Sequence, residues 1–227
     1  MVLVLNVAAS AAEAALKKDD TVIMLGDSIT AGGGNPMDEK NKNVKGYVSL
    51  VKAGIDEKHK DLGVKVINKG ISGNKVTDLQ KRLQKDVLDL KPNVVFIYIG
   101  INDVWHWDLP KHKGTTKDEF EAGLKDIIGK IKAVGARVIL CTPSVIGEKT
   151  DGTNPQDKML AEYADISRKV AKDESLTLCD LNKAFMDYLK ENNKENKDKG
   201  VLTGDRVHLA PAGNKLVADT MLKALGE

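Results

Sequence analysis

Five short apolar runs, most of them followed by residues of helical periodicity, set the fold of this chain. The runs are Thr21–Leu25, Val64–Ile67, Asn93–Ile99, Ala136–Leu140 and Leu176–Leu178. The first, third and fourth are almost unbroken in Val, Ile and Leu, the pattern of strands covered on both faces. Between runs the apolar period changes. Val76, Leu79, Leu83 and Val87 recur at helical spacing, as do Phe120, Leu124, Ile127, Ile131 and Val134, and then Met159, Tyr163, Ile166 and Val170. Pro211 introduces a last helix marked by Leu216, Val217, Met221 and Leu225. The alternation predicts an α/β three-layer sandwich around a five-stranded parallel sheet. One domain over residues 21–227 accommodates it, with residues 1–20 as an N-terminal extension.

Composition excludes several classes. With 227 residues, 41% hydrophobic and 30% charged, the chain is neither disordered nor membrane-embedded in pattern. The net charge is +2 and its signs are interspersed, so no basic stripe for a nucleic acid is present. The mixed-sign run Lys190–Lys199 reads as a solvated helix end or loop. Cys141 and Cys179 lie near the ends of apolar runs and read as buried thiols, with a disulfide left open. No Cys/His cluster has metal-ligand spacing, so no metal is expected. No stretch approaches the roughly 20 apolar residues of a membrane span. Val2–Leu5 followed by the Ala-rich Val7–Ala14 looks like the tail of a signal peptide without its basic start. Export to the periplasm or medium is the expectation, against a short helix capping the fold. The sequence sets no oligomeric state, and a monomer is compatible with it.

In open parallel sheets, ligands sit beyond the carboxyl ends of the strands. Three such ends carry Gly with Ser, Asn or Asp: Gly26–Gly32, Asn68–Asn74 and Gly100–Asp103. Ser28 projects from a tight strand-to-helix turn and reads either as an N-cap or as a nucleophile. A hydroxyl nucleophile needs a base. His59 and His112 lie among lysines and read as surface residues. His106 lies between Trp105 and Trp107 and is placed to line a pocket. His208 follows Asp205 by three residues, so one turn brings the carboxylate to its ring. That arrangement fixes the tautomer and leaves Nε2 to take a proton from Ser28; a turn Asp beside a packed His is the alternative. The backbone N–H groups of Ser28 and Gly73 and the Asn102 amide suit an oxyanion hole.

Together these segments resemble the GDSL, or SGNH, hydrolase superfamily. Gly26-Asp27-Ser28-Ile29 looks like its first block, with Ile29 where Leu is usual. Asn68–Gly73 resembles the block supplying the glycine, Gly100-Ile101-Asn102-Asp103 the Gly-x-Asn-Asp block, and Asp205–His208 the Asp-x-x-His block. The resemblance implies a flavodoxin-like α/β/α sandwich, no cofactor, and Ser28, Gly73, Asn102, Asp205 and His208 in the roles argued above. It implies a serine esterase working through an acyl-Ser28 intermediate. Paired tryptophans suit stacking on a sugar, with core packing or a plain surface loop as the alternative, and the expected substrate is a short-chain, acetyl ester of a carbohydrate or polysaccharide. Asp27, Asn74, Asp103, Trp105, His106 and Trp107 are the candidate substrate contacts. The alternatives are a lipase, lysophospholipase or thioesterase of the same superfamily, and a non-catalytic flavodoxin-like binding protein. The α/β-hydrolase motif G-x-S-x-G fails at Asn74, and Gly26–Ala31 is not a phosphate-binding loop.

Overall fold

The computed structural model describes residues 15–37 and 44–227. The signal-like segment and its alternative as a capping helix lie at residues 1–14, outside the described residues. All five apolar runs form strands: β1 (Thr21–Gly26), β2 (Lys65–Gly70), β3 (Val94–Tyr98), β4 (Arg137–Cys141) and β5 (Thr177–Cys179). They pair in parallel in the order β2-β1-β3-β4-β5. Val22–Leu25 and all of β3 are buried, because helices cover both faces of these central strands.

Eight helices connect and flank the strands among the described residues: α1 (Ser28–Ala31), α2 (Tyr47–His59), α3 (Val76–Asp86), α4 (Ile101–Trp105), α5 (Lys117–Ala133), α6 (Asp157–Asp173), α7 (Leu181–Asn192) and α8 (Pro211–Leu225). Parallel strands require right-handed crossovers. The step from β1 to β2 runs one way along the sheet, whereas β2 to β3, β3 to β4 and β4 to β5 run the other. Constant handedness therefore sends α2 to one face and α3, α5 and α6 to the opposite one. Packing follows that division: α2 and α7 lie against α8, and α3 and α6 against α5. The result is the α/β/α sandwich.

Local signals account for several helix ends. Thr116 and Glu119 form a reciprocal capping box at the start of α5, Asp180 caps α7 through the Lys183 N–H, and Pro211 opens α8. Ahead of β1, Leu16 is buried in the core, and the Asp20 carboxylate accepts from the Lys17 N–H at 2.7 Å. Cys141 and Cys179 are register partners on β4 and β5, buried and free. The run Lys190–Lys199 is solvated for the most part, but Asn193 is buried. β2 continues through Asn68, Lys69 and Gly70 because its ladder with β1 runs on to the Gly26–Gly70 pair. The polar residues after the apolar run thus belong to the strand.

Candidate active site

The first and third strand ends lie on either side of the point where strand order reverses, between β1 and β3. A crevice opens at such a point. Gly26 ends β1, and a Cβ there would collide with the Thr30 side chain and the Tyr98 carbonyl, so only glycine lets α1 begin so close to the sheet. The Asp27 carboxylate accepts from the Ile29 N–H at 2.9 Å and caps α1, leaving Ser28 as its first residue. Asn68 fastens this turn to β2: its Nδ2 donates to the Thr30 and Gly34 carbonyls, each at 2.6 Å.

His208 reaches Ser28 from the other end of the chain. A tight loop runs from Thr203 to Leu209, which pair as an antiparallel bridge, and the Gly204 N–H donates to the His208 carbonyl at 2.8 Å. Within the loop, the His208 N–H donates to Asp205 Oδ1 at 2.8 Å and its Nδ1 lies 2.7 Å from Asp205 Oδ2. Its Nε2 lies 2.9 Å from Ser28 Oγ. Partial burial pushes the Asp205 carboxyl up. The His208 ring and the His208 and Val207 N–H groups outweigh it and hold the carboxyl below its ordinary value. Ser28, His208 and Asp205 therefore form one continuous hydrogen-bonded relay.

Beside Ser28, the loop after β2 is anchored by the Ile71 N–H, which donates to the Gly26 carbonyl at 3.2 Å. Gly73 in this loop has φ +78°, a left-handed conformation that favours glycine. Neither the Ser28 N–H nor the Gly73 N–H donates to another group among the described residues. The buried Asn102 uses one amide hydrogen on the Asn74 carbonyl at 3.0 Å. Its second hydrogen is left to serve a ligand.

The structure corrects part of the expected substrate surface. Asp103 is fully buried, and its carboxylate accepts from the Val76 N–H at 3.2 Å, capping α3 instead of facing solvent. Asp27 is enclosed as the α1 cap, and His106 is buried with its ring 4.8 Å from that of His112. Asn74 is engaged through both its carbonyl and its side chain, the latter by Arg82. Burial raises Asp27 to about 7, with Asp103 adding to the effect and the Ile29 N–H opposing it. Burial likewise raises Asp103 to about 6, with the neighbouring Thr115 and a hydrogen bond from the Val76 N–H opposing it. Burial, with His112 and Lys75 nearby, lowers His106. Trp105 and Trp107 keep accessible surface: the Trp105 ring stands edge-on to His208 at 6.5 Å, and Trp107 is 39% exposed.

Residues 24–216 match the model of the GDSL-like lipase/acylhydrolase family. The chain belongs to that family. An acetylxylan esterase of Geobacillus stearothermophilus is 35% identical over 214 residues, covering 91% of this chain and 94% of the relative. The crystal structure of another acetyl xylan esterase, AlAXEase, superposes with a TM-score of 0.81 at 42% identity, covering 90% of this chain and 98% of that one. An uncharacterized lipoprotein of Bacillus subtilis is 27% identical over 87% of this chain and 86% of its own length. As a GDSL-like acylhydrolase, the protein is a carboxylic ester hydrolase. Among the described residues no group of three or more His, Cys, Asp or Glu is disposed to hold a metal ion, and no helix is long and apolar enough to cross a membrane.

Two residues of this GDSL-like site carry no signal in the sequence. Arg82, on α3, gathers the strand ends: Nη2 donates to the Gly26 and Lys69 carbonyls at 2.8 and 2.9 Å, and Nε to Asn74 Oδ1 at 2.7 Å. Glu148 is the second and lies beneath the His208 loop.

Proposed function

We propose that this protein removes small acyl groups, acetyl first, from carbohydrate esters through an acyl-Ser28 intermediate. The relay from Asp205 through His208 to Ser28 Oγ carries the reading. Asp205 holds Nδ1–H, so Nε2 faces Ser28 as the acceptor. Ser28 Oγ attacks the ester carbonyl as its proton passes to Nε2. The Ser28 and Gly73 N–H groups and the Asn102 amide receive the charge that develops on the carbonyl oxygen. His208 then protonates the leaving alcohol, and a water deprotonated by the same nitrogen hydrolyses the acyl enzyme.

The acetylxylan esterase activity of the two relatives supports an acetyl ester of a xylan-like chain. The flat, accessible rings of Trp105 and Trp107 suit a sugar more than a long alkyl chain. Action outside the cytoplasm is supported by the signal-like segment and by the lipoprotein relative. Fractionation of expressing cells tests it, and activity confined to the cytoplasmic fraction would count against it.

Hydrolysis of p-nitrophenyl esters from acetyl to palmitoyl, alongside acetate release from acetylated xylo-oligosaccharides, tests the activity. Rates should fall steeply with chain length, and Ser28→Ala should lose about 10⁴-fold or more in kcat. Faster cleavage of long chains would point to a lipase, and an active Ser28→Ala would remove Ser28 as nucleophile.

A further inference from the structure

Glu148 ends the buried loop that leaves β4 and is itself 0% exposed. Its hydrogen-bond partners all belong to the segment ahead of the His208 loop. Its Oε2 accepts from the Val201 N–H at 2.8 Å, and its Oε1 from the Leu202 N–H at 2.8 Å and the Thr203 hydroxyl at 2.7 Å. The Thr203 N–H also donates to Oε1. The Glu148 backbone joins in: its N–H donates to the Asp198 carbonyl at 2.9 Å, and its carbonyl accepts from Asn193 Nδ2 at 2.8 Å. Next to it, the Gly147 N–H donates to the carbonyl of Arg206, inside the loop between Asp205 and His208, at 2.8 Å.

Three successive backbone N–H groups converging on one carboxylate form an anion-binding nest supplied by the protein's own side chain. The nest ends at Thr203, which with Leu209 forms the base of the loop holding Asp205 and His208. We propose that Glu148 is a positioning residue that fixes the height and tilt of this loop, and so the reach of His208 to Ser28. The inference rests on the relay reading of Ser28, His208 and Asp205. Glutamine is isosteric, but its –NH₂ would confront N–H donors and have only one oxygen to offer them. A misplacement of about 1 Å costs up to about 10²-fold in rate. The sugar-facing tryptophans and the Gly73 loop make no bond to Glu148, so substrate binding should be spared.

The test compares wild type, Glu148→Gln, Thr203→Val and Ser28→Ala by kcat and KM on p-nitrophenyl acetate, with melting curves and the downfield proton NMR signal of His208 Nδ1–H. Glu148→Gln should lose roughly 10- to 100-fold in kcat with KM changed less than about threefold, and its Nδ1–H signal should shift or broaden. Thr203→Val, which removes one of the four donors, should show a smaller loss of the same kind. If Glu148→Gln does not fold, Thr203→Val decides by the same criteria. A kcat within about twofold of wild type, or a loss confined to KM with the signal unchanged, overturns the proposal. An active Ser28→Ala sinks the relay and the inference together, whereas an inactive Ser28→Ala beside a folded Glu148→Gln whose kcat stays within about twofold of wild type sinks the inference alone.

Discussion

Asp27 stands one residue before Ser28, enclosed, with the Ile29 N–H as a donor and the buried Asp103 as an electrostatic neighbour. Burial dominates and raises its carboxyl to about 7 from an ordinary 3.8. A folded-state value above the unfolded one means that the native state holds the proton more tightly. Stability from this group is present at acid pH and is lost as pH rises from about 4 through about 7. Asparagine imitates the protonated acid and can still accept from Ile29. Asp27→Asn should therefore melt above wild type at pH 8, with the gap closing towards pH 5. The gain should be on the order of a few kcal/mol, at about 1.4 kcal/mol per pKa unit. Parallel melting-temperature curves across that range would show that Asp27 is charged at no cost. Gly73 invites a second substitution. An added Cβ meets nothing within 4 Å, so Gly73→Ala is penalised by its φ of +78° alone. If its N–H serves the oxyanion, the variant should lose more in kcat than in melting temperature. An unchanged kcat would leave the hole to Ser28 and Asn102.

At the scale of elements, the site is as firm as the stitches between strand ends. Arg82 spans β1, β2 and the Asn74 loop with a planar fork that lysine cannot reproduce. Arg82→Lys should lower kcat/KM about tenfold while leaving most of the melting temperature, since a few hydrogen bonds at about 1 kcal/mol each are exchanged or lost. Full activity in that variant would show that the Gly73 loop holds its shape without the guanidinium. The same contrast marks what could be read from the chain. Ser28, Gly73 and Asn102 were legible because each follows an apolar run, and strand ends in parallel sheets face a common crevice. His208 was legible through its spacing from Asp205. Arg82 and Glu148 were not, because one sits on an amphipathic helix and the other in a patternless loop. Only their convergence in space gives them a task. The helix α7 went unread although Leu181, Phe185 and Leu189 are buried at helical spacing and Met186 and Tyr188 pack beside them. In α2, Tyr47, Val48, Val51 and Ile55 follow Gly46, which provides no side-chain cap to announce the start. Asp103 was misread because its position beside Asn102 marks it as a site residue, whereas its carboxylate turns inward to the N-terminus of α3.

Across the whole molecule, one hydrophobic cluster runs from Leu16 to Leu225 through all five strands, so no part of the core is independent of the rest. Unfolding in urea should then be a single transition, with esterase activity and far-UV circular dichroism lost together. Activity vanishing at clearly lower urea would mean that the His208 loop melts ahead of the sheet. The bond between Ser28 and His208 joins positions 180 residues apart. On the mechanism proposed above, a chain still being made holds Ser28 without His208 and is inert towards the esters of the cell that made it. Covalent labelling of Ser28 by a fluorophosphonate can thus serve as a clock, marking the moment at which the two ends of the polypeptide first meet.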